Sequence, residues 1–210
     1  MKLEGIKANF LGDSITFGDG VLDKQNHVYW QRLRDNCGLS CARGYGISGT
    51  QIAVQHVKGH PERDQNFLSR VESMDPDADL VVVFGGTNDF RHGDAPLGDM
   101  RDRSPYTFYG ACHQLMTMLI ESYPDAQIVF MTPLHRSMEE FSGRRLKDYV
   151  EAIKEVAEYY AIPVLDMYAT GGLQPQVPII MQKFCPDGLH PNDAGHEKLY
   201  RRLRAFLEAL

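Results

Sequence analysis

The sequence predicts an α/β fold with a mostly parallel sheet. Short apolar runs alternate with helical patterns along all 210 residues, the order that parallel sheets with crossover helices produce. The strongest run, Leu80-Val81-Val82-Val83-Phe84, is apolar at every position, as a strand covered on both faces requires. No repeat, low-complexity tract or linker breaks the alternation, so one domain over 1–210 is expected.

The elements follow in order. Ile6–Leu11 is the first strand, and Leu39–Arg43 a weaker second one. Leu80–Phe84, Gln127–Met131 and Ile162–Leu165 complete the set, and Pro163 marks the last as an edge strand because proline donates no ladder hydrogen bond. Helical patterns fall at about 28–36, 50–57, 62–74, 105–122, 142–160 and 192–209. The last has Asn192 as N-cap and Leu199, Leu203, Phe206 and Leu207 as its apolar face.

Composition narrows the function classes. With 43% hydrophobic and 24% charged residues, the chain falls in the ordinary globular range. A net charge of −6 argues against nucleic acid or an anionic membrane as partner, since both call for concentrated Lys and Arg. No apolar run approaches the roughly 20 residues that span a bilayer, so no membrane insertion is expected. Cys37, Cys41, Cys112 and Cys185 show no CxxC pair, which favours reduced thiols and, with Glu4 and Lys7 interrupting the start, a cytoplasmic location. Nothing marks an oligomer interface; Tyr106, Phe108 and Tyr109 are read as core.

The chemistry concentrates in four places. Gly12-Asp13-Ser14-Ile15-Thr16 follows the first strand, and Asp187-Gly188-Leu189-His190 lies near the other end. A serine becomes a competent nucleophile only when a positioned base takes its proton and a third group orients that base. His190 and Asp187 are the candidates for those roles, with Ser14 as nucleophile. Gly85-Gly86-Thr87-Asn88-Asp89 ends the third strand and offers the Asn88 amide to an oxyanion; Gly49, after the second strand, offers a backbone N–H. Ligands bind at the carboxyl ends of open parallel sheets, and all of these residues emerge there.

Gly44-Tyr45-Gly46-Ile47-Ser48-Gly49 also matches GxGxxG, which would make an NAD(P)-binding oxidoreductase. It follows the second strand rather than the first, and no strand with an acidic end follows it, so this is the remote alternative. Ser48 is a rival nucleophile, although GxSxG fails at Thr50. His56 and His60 stand at i, i+4 without a third ligand, and are expected as surface residues rather than a metal site. Asp13 and Asp89 are expected to orient loops.

The four blocks Gly12–Thr16, Gly46–Thr50, Gly86–Asp89 and Asp187–Pro191, in this order, resemble the SGNH (GDSL-type) hydrolase family of esterases and lipases over essentially the whole chain. The resemblance implies a three-layer α/β/α, flavodoxin-like sheet of order 2-1-3-4-5. It implies Ser14, Asp187 and His190 as triad, with Ser14, Gly49 and Asn88 as oxyanion donors, and no metal or cofactor. One departure is Ala42-Arg43-Gly44, where members often carry an Asn shortly before the second block.

The family does not choose the substrate. The charged, Gly/Pro-rich stretch after the third strand, with Phe90 and Arg91, and His135 after the fourth are expected to line the mouth. A polar mouth suits a small-acyl, acetyl-type ester of a polar alcohol such as an acetylated carbohydrate. A lysophospholipase or thioesterase would share the site and differ in acyl length.

Overall fold

A computed structural model describes residues 1–210. Five parallel strands form the central sheet: β1 (Lys7–Gly12), β2 (Cys41–Gly46), β3 (Leu80–Phe84), β4 (Gln127–Met131) and, after a small hairpin, β7 (Val164–Leu165). Their order is β2-β1-β3-β4-β7, which is the expected 2-1-3-4-5. The hairpin pairs β5 (Glu140–Phe141) with β6 (Arg144–Arg145). The helices are α1 (Ser14–Phe17), α2 (Tyr29–Cys37), α3 (Thr87–Arg91), α4 (Phe108–Ser122), α5 (Leu146–Tyr159), α6 (Met167–Thr170), α7 (Pro178–Phe184) and α8 (Asp193–Ala209).

Strand alternation divides the core into two layers. Leu80, Val82 and Phe84 face α2 and α8, with Leu33, Leu199 and Leu203 packed beside them. Val81 and Val83 face the opposite way, toward α4 and α5 and their Leu115, Leu119, Ile153 and Val156. No helix is long and apolar enough to cross a membrane.

β3 and β4 lie where the apolar runs predict them, and β7 is a two-residue edge strand behind Pro163. β2 runs further than expected, to Gly46, because its pairing with β1 continues through Leu11↔Tyr45 and Gly12↔Gly46. Its glycines serve packing. A Cβ on Gly44 would stand 2.6 Å from the Trp30 ring, and one on Gly46 would strike the Phe17 backbone. The dinucleotide reading of that segment has no support in this placement.

Two expected helices do not form. Residues 50–57 are irregular because their amides find partners elsewhere: Ile52 and Ala53 donate to the Asp89 carboxylate at 3.0 and 2.8 Å, and Val54 donates to the Pro105 carbonyl. Residues 62–74 break into two 3-10 turns, Pro61–Arg63 and Leu68–Ser73. Asn66 sits between them and accepts from Ser69 N–H, a local bond that competes with a continuous helix. The 142–160 pattern begins late, at Leu146, because Ser142 and Gly143 turn the hairpin with φ of 50° and 78°. Asn192 caps α8 as expected, accepting from Gly195 N–H at 3.0 Å. Tyr106, expected in the core, is exposed.

Candidate active site

Ser14 opens α1, two residues beyond the end of β1. Asp13 is the N-cap, its carboxylate accepting from Ile15 N–H at 3.0 Å. The turn is tight: a Cβ on Gly12 would collide with the Thr16 side chain and stand 3.0 Å from the Phe84 carbonyl. Ser14 is therefore held by a short, fully packed junction at the carboxyl edge of the sheet.

His190 reaches this serine from the segment between α7 and α8. Its Nε2 lies 3.0 Å from Ser14 Oγ, and its Nδ1 lies 2.6 Å from Asp187 Oδ2. The second carboxylate oxygen, Oδ1, accepts from the backbone N–H groups of Leu189 and His190 at 2.9 and 2.7 Å. A carboxylate can only accept, so Nδ1 carries the proton and Nε2 presents its lone pair to the hydroxyl. Partial burial works against a charged Asp187, but the hydrogen bonds from His190 and the two amides outweigh it and hold the carboxyl below its ordinary range. Gly20 packs against the other side of the histidine; a Cβ there would lie 2.8 Å from the Pro191 carbonyl and 3.1 Å from His190 Cβ.

Three N–H groups face no protein acceptor: the amides of Ser14 and Gly49, and one hydrogen of the Asn88 amide. The Asn88 Nδ2 donates its other hydrogen to the Thr50 carbonyl at 3.0 Å, which fixes the side chain. Asn88 itself sits in the first turn of α3, immediately after β3. Gly49 adopts a φ of 78°, a left-handed conformation that glycine takes without strain.

Beneath these groups lies Arg70, which the sequence reading missed. Its guanidinium donates to the Gly12 carbonyl at 3.1 Å, to the Tyr45 carbonyl at 2.6 Å and to Thr50 Oγ1 at 3.1 Å. It also covers the Phe67 ring, 4.6 Å from the centroid. One buried cation thus ties together the strand ends that carry Ser14 and Gly49, and through Thr50 it reaches Asn88. The signal was present: Arg70 falls on the same face as Phe67, Val71 and Met74, where an apolar residue would be expected.

Asp13 and Asp89 are buried nearby, and the hydrogen-bond partners of the His190 ring are Asp187 and Ser14 instead. Burial pushes the Asp13 carboxyl up to about 6 and Asp89 up to about 7, with the backbone bonds from Ile15, Ala53 and Ile52 pulling back. Asp13 caps a helix and Asp89 organises the 52–53 backbone.

Ser14, Gly49, Asn88 and His190 line a cleft of about 280 Å³. Asp19, Ser48, Glu62, Arg63 and His92 are its other polar walls, and Leu189 is its sole hydrophobic one. Ser48 donates to Asp19 Oδ2 at 2.7 Å and has no histidine partner. The residues expected at the mouth lie elsewhere. Phe90 is fully buried, edge-on to Tyr149. Arg91 covers the Phe141 ring at 3.8 Å. His135 is 2.6 Å from Glu139 and lies against the Tyr168 ring, centroids 3.8 Å apart and tilted by 34°. The loop after α3 turns back toward α4, where its Pro96 and Leu97 carbonyls accept from Phe108 and Tyr109, and only His92 reaches the cleft. His56 and His60 pair separately, with Asp64 and Glu62.

A parallel α/β/α sheet whose carboxyl edge joins a serine, a histidine and an aspartate defines a hydrolase. The chain belongs to the GDSL-like lipase/acylhydrolase family, whose sequence profile matches residues 10–198. It is an ester-hydrolysing serine hydrolase of the SGNH type. Among solved structures, a protein from Lactobacillus plantarum is 31% identical, with 98% of each chain covered and a TM-score of 0.87. A protein from Bacteroides uniformis described as a GDSL-like lipase shares the fold at 18% identity, with 98% and 97% covered and a TM-score of 0.70. An acetyl-xylooligosaccharide esterase from Geobacillus does so at 21% identity, with 97% and 94% covered and a TM-score of 0.61. No curated protein matches.

Proposed function

We propose that this hydrolase cleaves a small-acyl, acetyl-type ester of a polar alcohol, such as an acetylated carbohydrate, through Ser14, His190 and Asp187. The observation that carries the mechanism is the unbroken chain from Asp187 Oδ2 to His190 Nδ1 at 2.6 Å and from His190 Nε2 to Ser14 Oγ at 3.0 Å. Ser14 Oγ attacks the ester carbonyl as His190 takes its proton. Asp187 holds the imidazole in the required tautomer and stabilises the imidazolium that forms. The tetrahedral oxyanion is met by the N–H groups of Ser14, Gly49 and Asn88, which have no competing acceptor. His190 then returns its proton to the leaving alcohol, and water repeats the sequence to release the acid.

The substrate class rests on the cleft. About 280 Å³ with one hydrophobic wall residue holds an acetyl group and polar atoms, whereas a long acyl chain needs an apolar groove. The test is a panel of acetyl, butyryl and octanoyl esters with wild type and Ser14→Ala. We expect acetyl esters to give the highest kcat/KM, and Ser14→Ala to lose about 10³-fold or more in kcat. Preference for octanoyl esters would favour a lysophospholipase or thioesterase, and full activity in Ser14→Ala would overturn the mechanism.

A further inference from the structure

The cleft holds an unequal balance of charge. Its carboxylates are engaged: Asp19 accepts from Ser48 at 2.7 Å and pairs with Lys24 at 3.1 Å, and Glu62 lies 3.0 Å from His60 Nδ1. The cleft's arginine is not. Arg63 has Glu62 as its nearest carboxylate, 3.9 Å away and beyond hydrogen-bond reach. Its side chain crosses the Gly49 backbone so closely that Nε stands 2.8 Å from where a Gly49 Cβ would be. The guanidinium therefore lies along the oxyanion side of the cleft with its donors uncommitted.

His92 lines the same cleft. Burial, followed by the charges of Arg63, Arg91 and Arg136, lowers its imidazole to about 4. At neutral pH it offers one N–H and no charge. A chain of net charge −6 has thus placed in the cleft of its serine a guanidinium with no hydrogen-bond acceptor, only the Glu62 carboxylate at 3.9 Å, and a neutral imidazole donor.

We propose that Arg63, with His92 beside it, reads a carboxylate on the substrate, so that the preferred ester is anionic next to its scissile bond. This inference rests on the Ser14 mechanism above. A guanidinium binds a carboxylate through two parallel N–H···O bonds, and partial removal from water strengthens the pair. A neutral ester leaves those donors to solvent and gains nothing from them.

Two pairs of probes test it and distinguish where the anion sits. On the acyl side, 4-nitrophenyl hydrogen succinate is compared with 4-nitrophenyl butyrate. On the alcohol side, 4-acetoxybenzoate is compared with its methyl ester. Each kcat/KM is divided by the hydroxide-catalysed rate to remove intrinsic reactivity. The expected result is that one pair favours its carboxylate about tenfold or more in wild type, the range of a charge-assisted hydrogen bond. That ratio falls to near unity in Arg63→Gln, is partly kept in Arg63→Lys, and declines as salt is added. No preference in either pair, or a preference that survives Arg63→Gln, would overturn the proposal. Undiminished hydrolysis by Ser14→Ala would instead remove the mechanism beneath it.

Discussion

In the proposed mechanism the Ser14 hydroxyl draws its reactivity from the lone pair of His190 Nε2, 3.0 Å away. That lone pair is available because Asp187 commits Nδ1 to the other direction. Each residue is thus defined by what its neighbour accepts or donates, and single substitutions should separate the roles. Asn88 holds position through one amide hydrogen on Thr50, and its other hydrogen is the one proposed for the oxyanion. Asn88→Ala is expected to lower kcat by about 10² to 10³ with KM nearly unchanged, the signature of a group engaged only in the transition state. Steady-state kinetics on an acetyl ester measures this; a rise in KM with kcat intact would assign Asn88 to ground-state binding instead.

At the scale of elements, the site depends on how strand ends are locked. Arg70 bonds to the last residue of β1, to Tyr45 in β2 and to the Thr50 hydroxyl, all from within the core. Arg70→Met would take the guanidinium donor from the Tyr45 carbonyl and from Thr50 Oγ1, and leave the Gly12 carbonyl with only the Ile47 N–H at 3.2 Å. It should destabilise the fold by roughly 3 kcal/mol, since each buried acceptor left unmet costs about 1–3 kcal/mol and the arginine's own burial cost is relieved. Urea unfolding measures this, and an unchanged midpoint would show that the network is dispensable. The same elements show what the sequence could reveal. β3 and β4 were legible because a β-branched run in a doubly covered strand depends on nothing distant. Three of the four sequence blocks were legible as local turns at strand ends, and the fourth, Asp187–Pro191, as a proline-bounded segment between α7 and α8. Residues 50–57 were misread because the Asp89 carboxylate, far along the chain, satisfies their amides. Arg63 and Arg70 were missed for a related reason: their surroundings arise only when the 61–73 segment folds over the strand ends, whereas His92, in the stretch expected at the mouth, does line the cleft. Phe90 was assigned to the mouth by proximity in sequence, but the turn of α3 sends it into the core against Tyr149.

Across the whole molecule, buried titratable groups give opposing pH dependences. His196 stacks on Tyr29 and accepts its backbone N–H at 3.1 Å, and burial lowers the imidazole to about 3. The unfolded chain binds that proton more readily, so this contribution to stability is lost as pH falls from about 6.5 toward 3. Burial raises Asp89 to about 7, so the folded state binds its proton more readily. That contribution is complete below about 4 and is lost as pH rises to 7. Thermal unfolding of Asp89→Asn should therefore gain on wild type as pH rises from 4 to 7. His196→Gln should gain as pH falls from 6.5 to 4. Parallel curves for wild type and either variant would contradict the assignment for that group.

Of the two serines in the cleft, Ser14 is the proposed nucleophile. Ser48 lines the same space but bonds to Asp19 and has no base. Treating the protein with a fluorophosphonate and mapping the modified peptide by mass spectrometry tests this directly. The expected result is one phosphonyl group on Ser14, with loss of esterase activity in proportion to labelling and no labelling in His190→Ala. A phosphonyl group on Ser48, or full activity after complete labelling of Ser14, would contradict it.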